Sequence, residues 1–159
     1  MDRKLLSEIL AQMRNHLEKG KEIGDMKVGA LLALGHQLEA IFYYLGHELG
    51  TILKVKQLKD HSQIPEALQK VIHDYNLGTV EITDSSDEII QLKLKGHSSI
   101  KDLIGKGIRT EGSFCSFEAG LLAGLVERMI NFHCFAQEVN CSLQTGEGFC
   151  EFMIVFQND

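Results

Sequence analysis

The sequence predicts an α+β fold in which an antiparallel four-stranded sheet packs against a layer of helices. Three observations lead to this prediction. Helical periodicity dominates the first half of the chain, two pairs of short alternating segments follow, and a small-residue helical segment separates the two pairs. The order of three helices, a hairpin, a helix and a second hairpin is typical of a sheet that carries its helices on one side.

The N-terminal half of the chain predicts three helices. Apolar residues recur at helical spacing over residues 2–19, over residues 28–55 and over the shorter segment 65–75. The second of these helices contains four glycines, each of which costs about 0.5–1 kcal/mol relative to alanine. They indicate either the close approach of another helix or a ligand, or a break near Gly46 or Gly50.

Two β-hairpins are predicted in the second half of the chain. The first joins residues 79–83 to residues 88–95 through a polar turn. The second joins residues 132–141 to residues 149–156 and ends the chain.

Two further segments separate these hairpins. Residues 96–112 are rich in glycine, serine and charged residues, and we expect a loop that closes over a ligand pocket as a lid. Residues 114–130 combine small residues with apolar residues at helical spacing and predict a helix.

Length and composition fit a single domain over residues 1–159, because 159 residues with 44% apolar content can bury their own core. The net charge of −6 argues against nucleic acid and anionic membranes as partners, since both favour a basic face. The most apolar stretch, residues 28–34, is much shorter than the roughly 20 residues of a membrane span. With no signal-peptide pattern after Met1, we expect a cytosolic protein with reduced thiols.

The cysteines point to a metal site near the C-terminus. Cys115 introduces the last helix, while Cys141 and Cys150 stand on opposite arms of a glycine-containing hairpin. Glu138 precedes Cys141 by three residues, and a bend near Asn140 is needed to turn both side chains to one side of the strand. Three thiols and a carboxylate are a ligand set that a closed, tetrahedral zinc site accepts.

The spacing of the cysteines alone also fits two arrangements without a metal. The thiols could be small buried apolar groups, or Cys141 and Cys150 could form a labile disulfide across the hairpin. Cys134 is expected to be a buried, inert thiol outside the cluster.

Several spaced motifs carry a resemblance to a known family. In chain order they are Gly46-x3-Gly50, Cys115-x4-Gly120-x3-Gly124, Glu138-x2-Cys141, Gly146 and Cys150-x-Phe152. These motifs resemble those of the 4-vinyl reductase domain family, a small-molecule-binding module. The likeness covers most of the chain and is most specific in its final third.

The resemblance implies a metal, a fold and an assembly. In the aromatic-sensing members of the family the matching residues hold a structural zinc, which implies zinc bound by Cys115, Glu138, Cys141 and Cys150. The family fold is similar to that of the transport-particle (TRAPP) subunits, which have an apolar channel and form dimers. This implies a TRAPP-subunit-like fold and a homodimer that uses a helix face.

The sequence does not predict an enzyme. The two short glycine pairs, at 105–107 and 146–148, lack the third glycine and the following helix of a dinucleotide-binding fingerprint. A zinc ion held by four protein ligands has no open position for water or substrate.

A ligand pocket is predicted where the aromatic residues of the 28–55 helix meet the third strand. Tyr44, Phe132 and Ala136 are the expected ligand-binding residues, and a buried Tyr44 phenol would orient the ligand. We therefore expect a stand-alone sensor or carrier domain that binds a small apolar or aromatic molecule and needs structural zinc. The alternatives are a dimeric scaffold subunit without a ligand and a tetrapyrrole-handling protein.

Overall fold

The computed structural model describes Ala11 and residues 38–157 of the chain. Within residues 38–157 the helices are α1 (Leu38–Ile52), α2 (Ile64–Asp74), α3 (Lys101–Gly105), α4 (Ser116–Ile130) and α5 (Ser142–Thr145). The strands are β1 (Thr79–Ser85), β2 (Ile89–Lys95), β3 (Cys134–Asn140) and β4 (Phe149–Phe156). Apart from Ala11, the helix predicted over residues 2–19 and the part of the second helix before residue 38 lie outside the described residues.

The four strands form one antiparallel sheet with the order β1-β2-β4-β3. In β4 every second residue is buried, from Cys150 to Phe156, because one face of the sheet packs on the helices. The predicted α+β class with a four-stranded antiparallel sheet is therefore confirmed. None of the described helices has the length and apolar character required to cross a membrane.

Helix α4 is the central element of the described core. It packs against α1 on one side and against β3 and β4 on the other. Residues 117–126 are consequently all buried, including the carboxyl-bearing Glu118. The helix ends where Asn131 adopts a left-handed conformation with a φ of 54°.

Helices α1 and α4 meet at the level of their backbones. A Cβ atom on Gly46 would lie 2.0 Å from a carbonyl oxygen of α4, and one on Gly120 would lie 1.9 Å from a carbonyl oxygen of α1. Gly50 and Gly124 repeat this contact one turn further along, at 2.6 Å and 2.2 Å. Since α1 runs unbroken through Gly46 and Gly50, the close approach of another helix is confirmed and the alternative of a helix break is wrong.

The segment 96–112 is not the lid that the sequence predicts. Ile100 and Leu103 are each 1% exposed and anchor the segment, which contains α3, in the core. The backbone N–H of Thr110 donates to the carbonyl oxygen of Leu143 at 3.4 Å, so the segment packs beside α5. These anchors hold the segment against the core although most of its residues are exposed, whereas a lid needs a segment that can lift away.

Candidate metal centre and ligand cleft

Four predicted ligands converge at one buried point. The Sγ atoms of Cys115, Cys141 and Cys150 and a carboxylate oxygen of Glu138 all lie within 4.8 Å of one another. The three thiols are 0% exposed, and the Sγ atoms of Cys115 and Cys150 are 3.7 Å apart. Two sulfurs bound to one tetrahedral zinc at about 2.3 Å lie about 3.8 Å from each other. The sulfur spacing therefore matches that of a zinc site.

Each ligand is placed by the end of an element. Cys115 is the N-cap of α4, Cys141 is the N-cap of α5, and Cys150 is the first core-facing residue of β4. Gly146 ends α5 with a φ of 80°, which lets the chain turn back into β4. Cys141 and Cys150 are not joined in a disulfide, so that alternative finds no support.

A β-bulge brings Glu138 and Cys141 to the same side of β3. The pairing with β4 shifts between Glu138 and Asn140, so that Val139 is an extra residue in the strand. The bend that the sequence predicts near Asn140 is thereby confirmed.

The Glu138 carboxylate provides the strongest test of whether the site fits a cation. Its Oε2 atom accepts the backbone N–H groups of Phe114 and Cys115, both at 2.9 Å, and the hydroxyl of Ser113. Its Oε1 atom is buried and has no hydrogen-bond partner. Such an orphaned oxygen costs about 1–3 kcal/mol. A divalent ion among the thiols would satisfy it.

The ionisation of the cluster also calls for a cation. Burial, followed by the charge of Cys141, raises the pKa of Glu138. Hydrogen bonds from Cys115 and Cys150 lower the pKa of Cys141. The hydrogen bond with Cys115 lowers the pKa of Cys150. The hydrogen bond with Cys141 and burial raise it, and the pKa of Cys150 is raised overall. Buried acidic groups this close oppose one another's ionisation, and a bound cation would compensate their charge.

Two buried residues beside the cluster were not predicted from the sequence. His97 Nε2 lies 3.4 Å from Cys115 Sγ, and Glu118 accepts a hydrogen bond from the hydroxyl of Ser99. Both side chains are buried, at 1% and 5% exposure. Glu118 could have been noticed in the sequence as a charge within an apolar helical stretch. The position of His97 could not, because it depends on the pairing of β2 with β4 beside Cys150.

A cleft of about 400 Å³ opens on the surface between α1, α4 and β3. Its lining residues are Tyr43, Tyr44, His47, Glu48, Glu127, His133, Cys134, Phe135 and Gln157. The rings of Tyr43 and Phe135 stack with their centroids 5.2 Å apart. Glu127 accepts hydrogen bonds from His47 at 2.9 Å and from His133 at 3.3 Å. The cleft thus combines an aromatic wall with a polar cluster.

The predicted ligand residues are only partly at this cleft. Tyr44 lines it but is 40% exposed, so the expectation of a buried Tyr44 phenol is wrong. The engaged phenol belongs to Tyr43, whose hydroxyl accepts the N–H of Ala136 at 3.2 Å. Ala136 is 0% exposed, and the Phe132 ring lies 6.3 Å from that of His61, so neither residue lines the cleft. Adjacent helix positions face different directions, which the aromatic run alone could not resolve.

A second cavity lies between α2, β2 and α4, beside His97 and Glu118. Its volume is about 10 Å³, which suits about one water molecule. It is too small for an aromatic ligand.

Cys134 is predicted to behave as an inert thiol. Burial, followed by the charge of Glu127, raises its pKa from 9.0 to about 12, and its Sγ donates to the carbonyl oxygen of Ala123 at 3.4 Å. The folded chain keeps this proton where the unfolded chain releases it, so the free energy of unfolding falls as pH rises from about 9 to about 12. Iodoacetamide labelling at about pH 8, followed by mass spectrometry, should modify Cys134 in urea but not in the native protein. Rapid native labelling would contradict this.

The fold of this chain is similar to that of several solved structures. A vinyl-4-reductase family protein from Methanocaldococcus jannaschii superposes with a TM-score of 0.60, covering 99% of this chain and 98% of its own, at 21% identity. The chain has the vinyl-4-reductase fold. No protein-family model matches the sequence.

Two other solved structures share the vinyl-4-reductase fold. The phenol-responsive sensory domain of the transcription activator PoxR, solved with phenol, has a TM-score of 0.63 and 13% identity over 84% of this chain and 72% of its own. A trafficking protein particle complex subunit 3 from Naegleria fowleri, covalently bound to palmitic acid, has a TM-score of 0.53 and 16% identity, with 98% of each chain covered. The predicted likeness to transport-particle subunits is confirmed for the fold.

The sequence also has curated relatives. An uncharacterized protein of Methanocaldococcus jannaschii is 31% identical over 123 residues, which are 76% of this chain and 66% of the relative. The chain thus spans just under two thirds of that relative's length.

Proposed function

We propose that residues 1–159 form one domain of the 4-vinyl reductase domain family, which binds a small apolar or aromatic molecule and holds zinc in a structural role. The observation that carries the ligand-binding function is the cleft of about 400 Å³ with its stacked aromatic wall. Its volume falls in the range of about 300–1,000 Å³ that is usual for small-molecule sites. We place the protein in the cytosol, where its clustered thiols stay reduced.

Zinc would be held by Cys115, Glu138, Cys141 and Cys150. The ion would tie the start of α4 to the end of β3 and the start of β4. Four protein ligands leave no position for a substrate or a reactive water, so the ion stabilises the fold and catalyses nothing. The orphaned Glu138 Oε1 supports this assignment.

The ligand would lie against the aromatic wall of the cleft. Tyr44 would contact it directly from the rim, and Tyr43 and Phe135 would present their stacked rings. Ala136 would act indirectly, because its N–H fixes the hydroxyl of Tyr43. Phe132, the third residue predicted from the sequence, packs near His61 and does not take part in the proposed ligand site.

Two of the similar solved structures support ligand binding. The PoxR domain is described as phenol-responsive, and the trafficking subunit as bound to palmitic acid. Both descriptions concern those proteins, and we propose by analogy that this chain binds a ligand of its own without converting it.

A homodimer forms part of the proposal. Ile41, Tyr44 and Ile52 lie along one exposed side of α1, at 44%, 40% and 46% exposure, and exposed apolar side chains in a row favour an interface. The same observation supports the second candidate function, a dimeric scaffold. Native mass spectrometry after gentle purification separates the two, because a dimer that carries a small molecule supports the binding function and a dimer without one supports the scaffold.

Replacing Tyr44 with alanine should weaken ligand binding about two- to tenfold, because an aromatic contact contributes about 0.5–1.5 kcal/mol. Phenol and naphthalene serve as probes, with saturation-transfer NMR as the readout, because both probes absorb and emit where tyrosine does.

Tyr75→Phe is the matched control, since the Tyr75 hydroxyl accepts the N–H of Lys54 away from the cleft. It should bind the probes as the wild type does. Equal probe binding by the wild type and Tyr44→Ala, or no binding by the wild type, would contradict the proposed site.

A further inference from the structure

We propose that His97 is a positioning residue of the metal centre, which donates a hydrogen bond from Nε2–H to the thiolate of Cys115. The inference rests on the proposed zinc site and extends it by a residue that does not ligate the ion. Its place in the fold is the turn that follows β2.

The two side chains meet where water is excluded. His97 Nε2 lies 3.4 Å from Cys115 Sγ, and the two residues are 1% and 0% exposed. In such surroundings a hydrogen bond is stronger than in water and has no solvent competitor.

Metal binding fixes the direction of this hydrogen bond. A protonated thiol can donate to an imidazole nitrogen, but a metal-bound thiolate carries no proton. The ring nitrogen that faces Cys115 must then carry the proton. The ion thereby selects the tautomer of His97.

The backbone holds His97 in this position. Its carbonyl oxygen accepts the N–H groups of Ile100 at 3.2 Å and Lys101 at 3.1 Å. Gly78, at a φ of +126°, packs so closely that a Cβ atom there would lie 3.2 Å from the backbone nitrogen of His97. The ring is therefore presented by a fixed turn and not by a flexible loop.

A donor at this point has a clear electrostatic purpose. Three thiolates and a carboxylate carry more negative charge than one divalent ion neutralises, and donors to sulfur disperse that excess. The backbone N–H of Ser142 already donates to Cys150 Sγ at 3.2 Å. His97 does the same for Cys115, and loss of such an outer partner typically weakens metal binding about 10–100-fold.

Zinc competition against a chromophoric chelator tests this role in three variants of the full chain. His97→Phe should bind zinc about 10–100-fold more weakly, while His97→Gln, which retains an N–H donor at a similar reach, should recover most of the affinity. His73→Phe is the control, because the His73 side chain is 88% exposed, and it should match the wild type. Wild-type affinity in His97→Phe would overturn the proposal.

Wild-type protein provides a readout that does not depend on how the variants fold. In cadmium-113-substituted protein with nitrogen-15-labelled histidine, the His97 Hε2 proton should couple to the metal through the Cys115 sulfur. A direct metal–nitrogen coupling without that proton would make His97 a ligand and would overturn the donor role, as would the absence of any coupling. A wild-type protein that takes up no metal would overturn the zinc site as well, whereas normal uptake without these effects would overturn only the role of His97.

Discussion

Gly120→Ala should destabilise the protein by about 4 kcal/mol or more. The added Cβ would lie 1.9 Å from the carbonyl oxygen of Tyr43 and 2.8 Å from its carbonyl carbon. These are backbone atoms of α1, so no side-chain rotation can relieve the overlap and the two helices must separate. Because a domain has roughly 5–15 kcal/mol of total stability, this loss should be evident in urea denaturation followed by circular dichroism.

Gly105→Ala is the matched control. A Cβ at Gly105 meets nothing within 4 Å, and its stability should change by less than about 1 kcal/mol. Gly46→Ala should resemble Gly120→Ala, since it makes the reciprocal contact at 2.0 Å. If Gly120→Ala cost no more than Gly105→Ala, the backbone contact between α1 and α4 would be wrong.

Cys141→Ala should abolish stoichiometric zinc binding and lower the free energy of unfolding by about 4 kcal/mol or more. The substitution removes one ligand and leaves Cys115, Cys150 and the Glu138 carboxylate buried together without a compensating ion. Thermal unfolding before and after treatment with a strong chelator measures the effect. The chelator should destabilise the wild type and leave the variant unchanged.

Cys134→Ala separates metal binding from simple core packing. Cys134 is also buried, at 7% exposure, but it lies outside the cluster of four ligands. This variant should keep its zinc and its sensitivity to the chelator. A wild-type protein whose unfolding ignores the chelator would contradict a structural role for the ion.

The sequence indicated the helix contact and the metal cluster, although the spacing of the glycines and of the cysteines alone left alternatives open for both. Gly46-x3-Gly50 and Gly120-x3-Gly124 place small residues on one face of each helix, and that spacing is local information. The bend at Asn140 also followed locally, because a straight strand could not turn Glu138 and Cys141 to one side.

Other features depended on contacts between distant segments. The position of His97 beside Cys115 follows from the pairing of β2 with β4, in which Leu94 lies opposite Cys150. The attachment of residues 96–112 to the core depends on two apolar anchors within a polar stretch, and the composition of the segment does not reveal it. Tyr43 and Tyr44 could not be distinguished, because their surroundings are set by the packing of α1 on α4 and β3.

X-ray absorption at the zinc edge of the purified protein is the decisive measurement for the metal centre. We expect one equivalent of zinc with three sulfur ligands at about 2.3 Å and one oxygen ligand at about 2.0–2.2 Å, from Cys115, Cys141, Cys150 and Glu138. Protein purified without stoichiometric metal, or an ion surrounded by fewer than three sulfurs or by nitrogen in place of oxygen, would contradict the proposed site.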